Sequence, residues 1–234
     1  MKPALHHQYL EAMGIQRWVP RNAGDQVLPE AGDVAAPQRE QSRSDDVGQL
    51  DWDALRQKVA LCTACDLHES RTQTVFGVGN QQADWLIIGE APGAEEDRQG
   101  EPFVGRAGQL LTAMLQAIGL QRDQVYIANM LKCRPPGNRD PHADEIAQCM
   151  AYLYRQIDLI QPKMILVVGR IAAQSLLNTS QPVGKLRGKV HMLAGRRIPL
   201  VVTYHPAYLL RSPADKRKAW QDLCLARGTL EKNV

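Results

Sequence analysis

The chain has 234 residues, 44% of them hydrophobic, with 28 Lys and Arg against 25 Asp and Glu for a formal net charge of +3. That is enough for one domain of ordinary size with a real core plus an extra segment, and no apolar run is long enough to span a membrane. The charge is too small to argue nucleic-acid binding by itself, so the placing of Lys and Arg must decide.

The start, Met1-Lys2-Pro3-Ala4-Leu5-His6-His7, lacks the continuous apolar stretch of a secretory signal, and the expected location is the cytoplasm. Residues 8 to 20 place Tyr9, Leu10, Met13, Ile15 and Trp18 near one side of a short helix that Gly14 interrupts. Such a piece is too short to be stable alone and must dock on something. From 21 to 49 the composition, rich in Gly, Pro, Ala, Ser, Gln and Asp, is that of a disordered linker. The Met13-Gly14-Ile15 and Trp18 pattern resembles the clamp-loader-binding peptide of the psi subunit of DNA polymerase III. The resemblance spans barely a dozen residues and implies a clamp-loader or other replisome partner for residues 8 to 20. The other reading is a helix packed on its own domain.

The main domain is expected over residues 50 to 228, with 229 to 234 a tail. Leu50 to Val59 read as a helix with Asp51 or Asp53 as N-cap, and Cys62-Thr-Ala-Cys65 follows. Four short apolar runs read as strands, at residues 84–89, 125–129, 164–169 and 199–204. Between them lie helical patterns: Leu110, Leu111, Met114, Leu115 and Ile118 at helical spacing, a long helix from His142 to Ile160, a short one from Arg170 to Leu177, and a last one from Pro213 to Ala226. The three prolines between Lys132 and Pro141 forbid regular structure there, and the Gly- and Lys-rich stretch from Pro182 to Gly195 reads as irregular. Strands alternating with helices predict an α/β fold, a three-layer α/β/α arrangement with a mainly parallel four-stranded central sheet.

The first strand runs into Gly89-Glu90-Ala91-Pro92-Gly93, a Gly- and Pro-containing turn at the carboxyl edge, where open α/β sheets bind ligands. Two other strands end at Asn129 and His205, so three polar ends converge on that edge. Cys62 and Cys65 form a C-x2-C pair, and Cys133 and Cys149 lie sixteen apart. With no signal peptide expected, five cysteines argue against a disulfide framework and towards reduced thiols, a metal or a cluster. Four thiolates hold tetrahedral zinc or a 4Fe-4S cluster, and the ligand type alone does not choose between them. Unrelated packed thiols are the third reading. Cys224 reads as simple core.

Taken in order, Gly89-Glu-Ala-Pro-Gly93, Glu101-Pro-Phe-Val-Gly105, Asn129, Cys133-Arg-Pro-Pro, Asn138-Arg139 and His205-Pro-Ala-Tyr-Leu-Leu-Arg211 closely resemble the family-4 uracil-DNA glycosylases from about Leu55 to Ala226. The resemblance implies a monofunctional enzyme that flips uracil out of DNA and hydrolyses its N-glycosidic bond, and a 4Fe-4S cluster on Cys62, Cys65, Cys133 and Cys149, with zinc the less favoured occupant. It places Phe103 against the base and gives Glu96 as the wall that excludes thymine's methyl group. Gly89 and Ala91 join them in the substrate site.

Asn129 carries an amide able to donate to a uracil carbonyl and accept from its ring N–H, and His205 can donate to the oxygen on which charge develops. Glu90 and Asn138 are the candidates for holding the water, since family-1 enzymes carry an Asp where this chain has Ala91. For DNA, Leu209 or Leu210 is the expected wedge. Arg211, Lys216, Arg217 and Lys218 form a phosphate-binding cluster, with Lys185, Arg187 and Lys189 a second patch. The protein is expected to act as a monomer away from membranes. Relatives that trap uracil covalently carry a basic insertion, and Pro135 to Pro141 has none. The alternative of another class is a non-catalytic Fe–S or zinc module that binds uracil-containing DNA for the replication machinery.

Overall fold

The computed structural model describes residues 47–233. The docking helix expected at 8 to 20, and the linker as far as residue 46, lie outside the described residues. The first helix, α1 (Trp52–Ala60), starts where the Asp51 carboxylate accepts from the Ala54 N–H at 2.9 Å, which makes Asp51 the N-cap. A one-turn helix α2 (Leu67–Ser70) and a two-residue strand β1 (Val78–Gly79) lead into β2 (Trp85–Gly89). Next come α3 (Ala94–Gln99), α4 (Arg106–Ala117), β3 (Tyr126–Asn129), the long α5 (Ala143–Ile160), β4 (Met164–Val168) and α6 (Arg170–Leu176). The chain continues through α7 (Val183–Leu186), β5 (Val190–Met192), β6 (Pro199–Thr203), α8 (Pro206–Arg211) and α9 (Lys216–Asn233).

The sheet order is β1-β3-β2-β4-β6-β5. Its four central strands are parallel, as expected. The described sheet nevertheless has six strands and is mixed, because β1 and β5 close its two edges antiparallel. Both edge strands are two or three residues long, too short to leave an alternating pattern in the sequence, and β5 falls inside the stretch expected to be irregular. The last helix runs on past residue 228 to Asn233.

Side-chain alternation sorts the core into two layers. Leu86 and Ile88 of β2 join α1, α5 and α6 on one face of the sheet, while Trp85 and Ile87 join α4, α8 and α9 on the other. Every residue of β2, β3 and β4 is buried. Each large apolar side chain there contributes about 1.5–3 kcal/mol. This rigid centre leaves polar residues only at the carboxyl ends of the strands.

Candidate active site

The carboxyl ends of β2, β3 and β4 and the turn after β6 open into one cleft of about 750 Å³, lined by Glu90, Ala91, Glu96, Phe103, Asn129, Asn138, His205 and Arg211, among others. Seven of the eight residues expected to bind or act on a base therefore share its wall. The eighth, Gly89, lies directly beneath. A Cβ on Gly89 would sit 2.4 Å from Asn129 Oδ1 and 2.6 Å from Phe103 Cζ, so only glycine lets the amide and the ring close over the end of β2.

Asn129 is 2% exposed, and its Oδ1 has no hydrogen-bond partner within the protein. A buried acceptor left unpaired costs about 1–3 kcal/mol, so this one is poised for a donor that arrives in the cleft. Phe103 is buried with φ 55, left-handed backbone that a side-chain-bearing residue adopts only under constraint. The constraints are visible. Glu96 Oε1 accepts from the Val104 and Gly105 N–H groups at 3.0 and 3.1 Å, and Arg122 donates to the Pro102 carbonyl. A Cβ on Gly108 would fall 1.7 Å from the Phe103 carbonyl oxygen, so the start of α4 packs backbone against backbone. Glu96 thus holds the loop that presents Phe103 as well as lining the cleft.

His205 is the N-cap of α8. Its Nδ1 accepts from the Ala207 N–H at 3.1 Å, which puts the proton of the neutral ring on Nε2. Burial, aided by Arg211 and opposed by Glu96, pushes its pKa down to about 4. Its ring centroid lies 5.7 Å from that of Phe103. Glu90 moves the other way: burial first, then the Asp140 charge, pushes it up to about 7 against the pull of Arg170. Asn138 is exposed on the lip of the cleft, and its Oδ1 accepts from Arg134 Nε at 2.8 Å, leaving the amide N–H groups as donors. That lip is tied to α5 by Arg139, which grips the buried Glu145 carboxylate at 2.5 and 2.9 Å.

On the expected DNA side the structure selects between the two wedge candidates and corrects Arg187, and elsewhere it corrects Cys224. Leu209 is 1% exposed and packs in the core, whereas Leu210, one residue on in α8, is 37% exposed; the helical register turns only the second outward. Arg187 has a side chain only 15% exposed, 2.9 Å from the buried Asp222 carboxylate, so it braces α7 on α9 rather than presenting a phosphate ligand. Cys224 is exposed on α9 rather than part of the core. Arg211, Lys216, Arg217, Lys185 and Lys189 are exposed, as is Lys218, which pairs with Asp215 at 2.8 Å.

Cys62, Cys65, Cys133 and Cys149 line a second, small cavity together with Arg71, Lys132 and Tyr152. Two of the sulfurs receive hydrogen bonds, Cys133 Sγ from Arg71 at 3.1 Å and Cys149 Sγ from the Lys132 N–H at 3.3 Å. Burial pushes the Cys65 and Cys133 thiols up, and Cys149 to about 12. Among the described residues no three His, Cys, Asp or Glu side chains are gathered tightly enough to hold a single metal ion. The donor set nonetheless suits a larger thiolate-bound group: all four cysteines line one cavity, and N–H donors reach the sulfurs of two of them.

Sequence reasoning missed several residues of the cleft wall. Tyr204 and Tyr208 stack there with ring centroids 5.0 Å apart, and Arg170 and Val183 line it too. Tyr208 sits inside a quoted motif, but only the fold brings α6 and α7 alongside it.

A family model described as the uracil DNA glycosylase superfamily matches residues 76–224. The chain is 46% identical over 167 residues to a type-4 uracil-DNA glycosylase of Archaeoglobus fulgidus, covering 69% of this chain and 84% of that one. It is 40% identical to one of Pyrobaculum aerophilum over 185 residues, and 40% identical to one of Thermotoga maritima over 182, each covering 76% of this chain and 94% of the relative. Among the described residues no helix is long and apolar enough to cross a membrane.

Proposed function

The chain belongs to the uracil DNA glycosylase superfamily, and from that premise we propose that it removes uracil from DNA by hydrolysing the N-glycosidic bond, leaving an abasic site for base excision repair. The observation that carries this reading is the buried, unpartnered Asn129 Oδ1 beside Phe103 and His205. Uracil supplies what that amide lacks. Its N3–H donates to Oδ1 while Nδ2 donates to the adjacent carbonyl, whereas cytosine offers an acceptor and a donor in the opposite order. Phe103 is the surface on which the flipped base stacks.

As the C1′–N1 bond breaks, its electron pair leaves with uracil and spreads onto the carbonyl that Asn129 does not hold. His205 donates to that oxygen through Nε2–H. Being neutral, it stabilises the charge without having to give up its proton. Water adds to C1′, and its proton passes to Glu90 or solvent. Glu90 accepts from the water while the Asn138 amide holds it from the lip. Release of free uracil and appearance of an alkali-labile site, with no scission before alkali, tests this course; scission without alkali would contradict it.

The Glu90 carboxylate must be ionised to accept from water. With its pKa at about 7, excision rises with pH up to that point and is level above it, so the rate at pH 6 is expected at about a tenth of the plateau. Glu90→Gln is expected to flatten that limb at a lower rate. His205 adds no limb above pH 5, since it is already neutral there. A single-turnover pH profile of both proteins checks this, and an unchanged limb in Glu90→Gln would remove Glu90 from the step.

For DNA we propose Leu210 as the wedge and Arg211, Lys216 and Arg217 as phosphate ligands. Leu210→Ala is expected to slow excision from duplex more than from single strands, with the melting temperature unchanged. Leu209→Ala is expected to cost about 2–5 kcal/mol of stability, read by denaturant unfolding. The reverse pattern would make Leu209, the other of the two expected candidates, the wedge.

We further propose that Cys62, Cys65, Cys133 and Cys149 hold a 4Fe-4S cluster. Supporting this are the type-4 relatives and the four cysteines lining one cavity. Held by three segments, the Cys62–Cys65 pair, the loop at Cys133 and α5 at Cys149, such a group would supply structural strength beside the loop that carries Asn138.

A further inference from the structure

Lys132 is 1% exposed, which is rare for an ammonium. Its Nζ donates to the Asn129 carbonyl at 2.7 Å and to Gln156 Oε1 at 2.6 Å, and Gln156 Nε2 donates on to the Phe76 carbonyl at 2.9 Å. These partners are neutral, and no carboxylate pairs with Lys132 among the ion pairs of the described residues. An uncompensated buried charge costs several kcal/mol. The groups at hand that become anionic when they bind a metal group are the thiols of the cavity that Lys132 itself lines, where its own backbone N–H meets Cys149 Sγ. On the other side, the Met130 and Leu131 N–H groups donate to the Gly89 and Glu90 carbonyls at 2.9 and 3.0 Å. Three residues, Met130, Leu131 and Lys132, thus separate the Asn129 amide from the loop cysteine, Cys133.

We propose that Lys132 is a positioning residue that joins the cysteine cavity to the uracil site: its ammonium offsets part of the negative charge that four bound thiolates bring and, through the Asn129 carbonyl, fixes the strand end that aims the Asn129 amide. This rests on the glycosylase reading given above. It also explains why a lysine is tolerated at full burial. An anionic group bound by four thiolates gives that charge a counterpart, and the charge in turn holds the turn after β3.

The test uses the purified full chain and Lys132→Met, which keeps the stem and removes the charge and donors; Lys132→Gln serves if the methionine variant does not fold. Three quantities are compared: single-turnover excision from a uracil oligonucleotide, affinity for the same oligonucleotide without uracil, and the midpoint potential of the bound cluster, followed by its visible absorption. Excision is expected to fall about tenfold or more, affinity for uracil-free DNA to stay within twofold, and the midpoint potential to drop because a nearby positive charge is gone. A merely structural loss would weaken both DNA affinity and excision and would not lower the potential in folded protein. Excision or potential at the wild-type value in the folded variant overturns the proposal, as does wild-type protein that binds no metal. Wild-type protein inactive on uracil overturns the underlying glycosylase reading instead, and this proposal with it.

Discussion

Replacing His205 by alanine is expected to slow uracil release by about 10²–10³-fold, the usual loss when one preorganised donor to a developing oxyanion is removed. The tautomer of this proposed donor is set by its other nitrogen. Because Nδ1 is engaged by the Ala207 N–H, the ring has one proton to offer and it points away from the helix. The substitution also removes the N-cap of α8, worth about 1 kcal/mol, so His205→Asn, which retains a capping oxygen, is the companion variant. Both are expected to bind uracil-containing DNA with nearly wild-type affinity. Measuring the single-turnover rate beside the dissociation constant checks this. A fall in affinity matching the fall in rate would assign His205 to ground-state binding instead.

Asn129→Asp is expected to be the most damaging change in the cleft, lowering excision of uracil by about 10³-fold or more. A carboxylate accepts but does not donate, so one carbonyl of the base would face an anion in a site that excludes water. Sites built to hydrogen-bond a particular edge reject the mismatch by several orders of magnitude. The substitution is isosteric, but it places an unpaired carboxylate at a position that is 2% exposed, so the melting temperature is expected to fall as well. Rates on uracil oligonucleotides, with thermal unfolding as control, check it. Loss of less than tenfold would mean that Asn129 does not read the base.

Much of this site was legible before the fold was known, for a physical reason. A parallel sheet gathers the carboxyl ends of its strands, so residues at the ends of separate apolar runs meet without further information. Glu90, Asn129 and His205 are such residues. What the sequence concealed depended on register and on distant partners. Leu209 and Leu210 are adjacent and chemically identical, and only the turn of α8 against the core tells which faces out. Arg187 belongs with Lys185 and Lys189 by composition, yet Asp222, 35 residues away, claims it. The edge strands β1 and β5 are fixed by pairing with β3 and β6 and not by any pattern of their own. Lys132 was invisible for the opposite reason: a lysine in a loop reads as solvated, and its burial follows from Gln156 on α5 and from the cavity it lines.

The measurement that bears most directly on the central claim is excision from oligonucleotides identical except for one position carrying uracil, cytosine or thymine, treated with alkali after incubation with the purified chain. Alkali-labile sites at uracil alone, with free uracil recovered in equal amount, are the predicted result. Equal cleavage at all three, or none at uracil on either single or double strands, would contradict it.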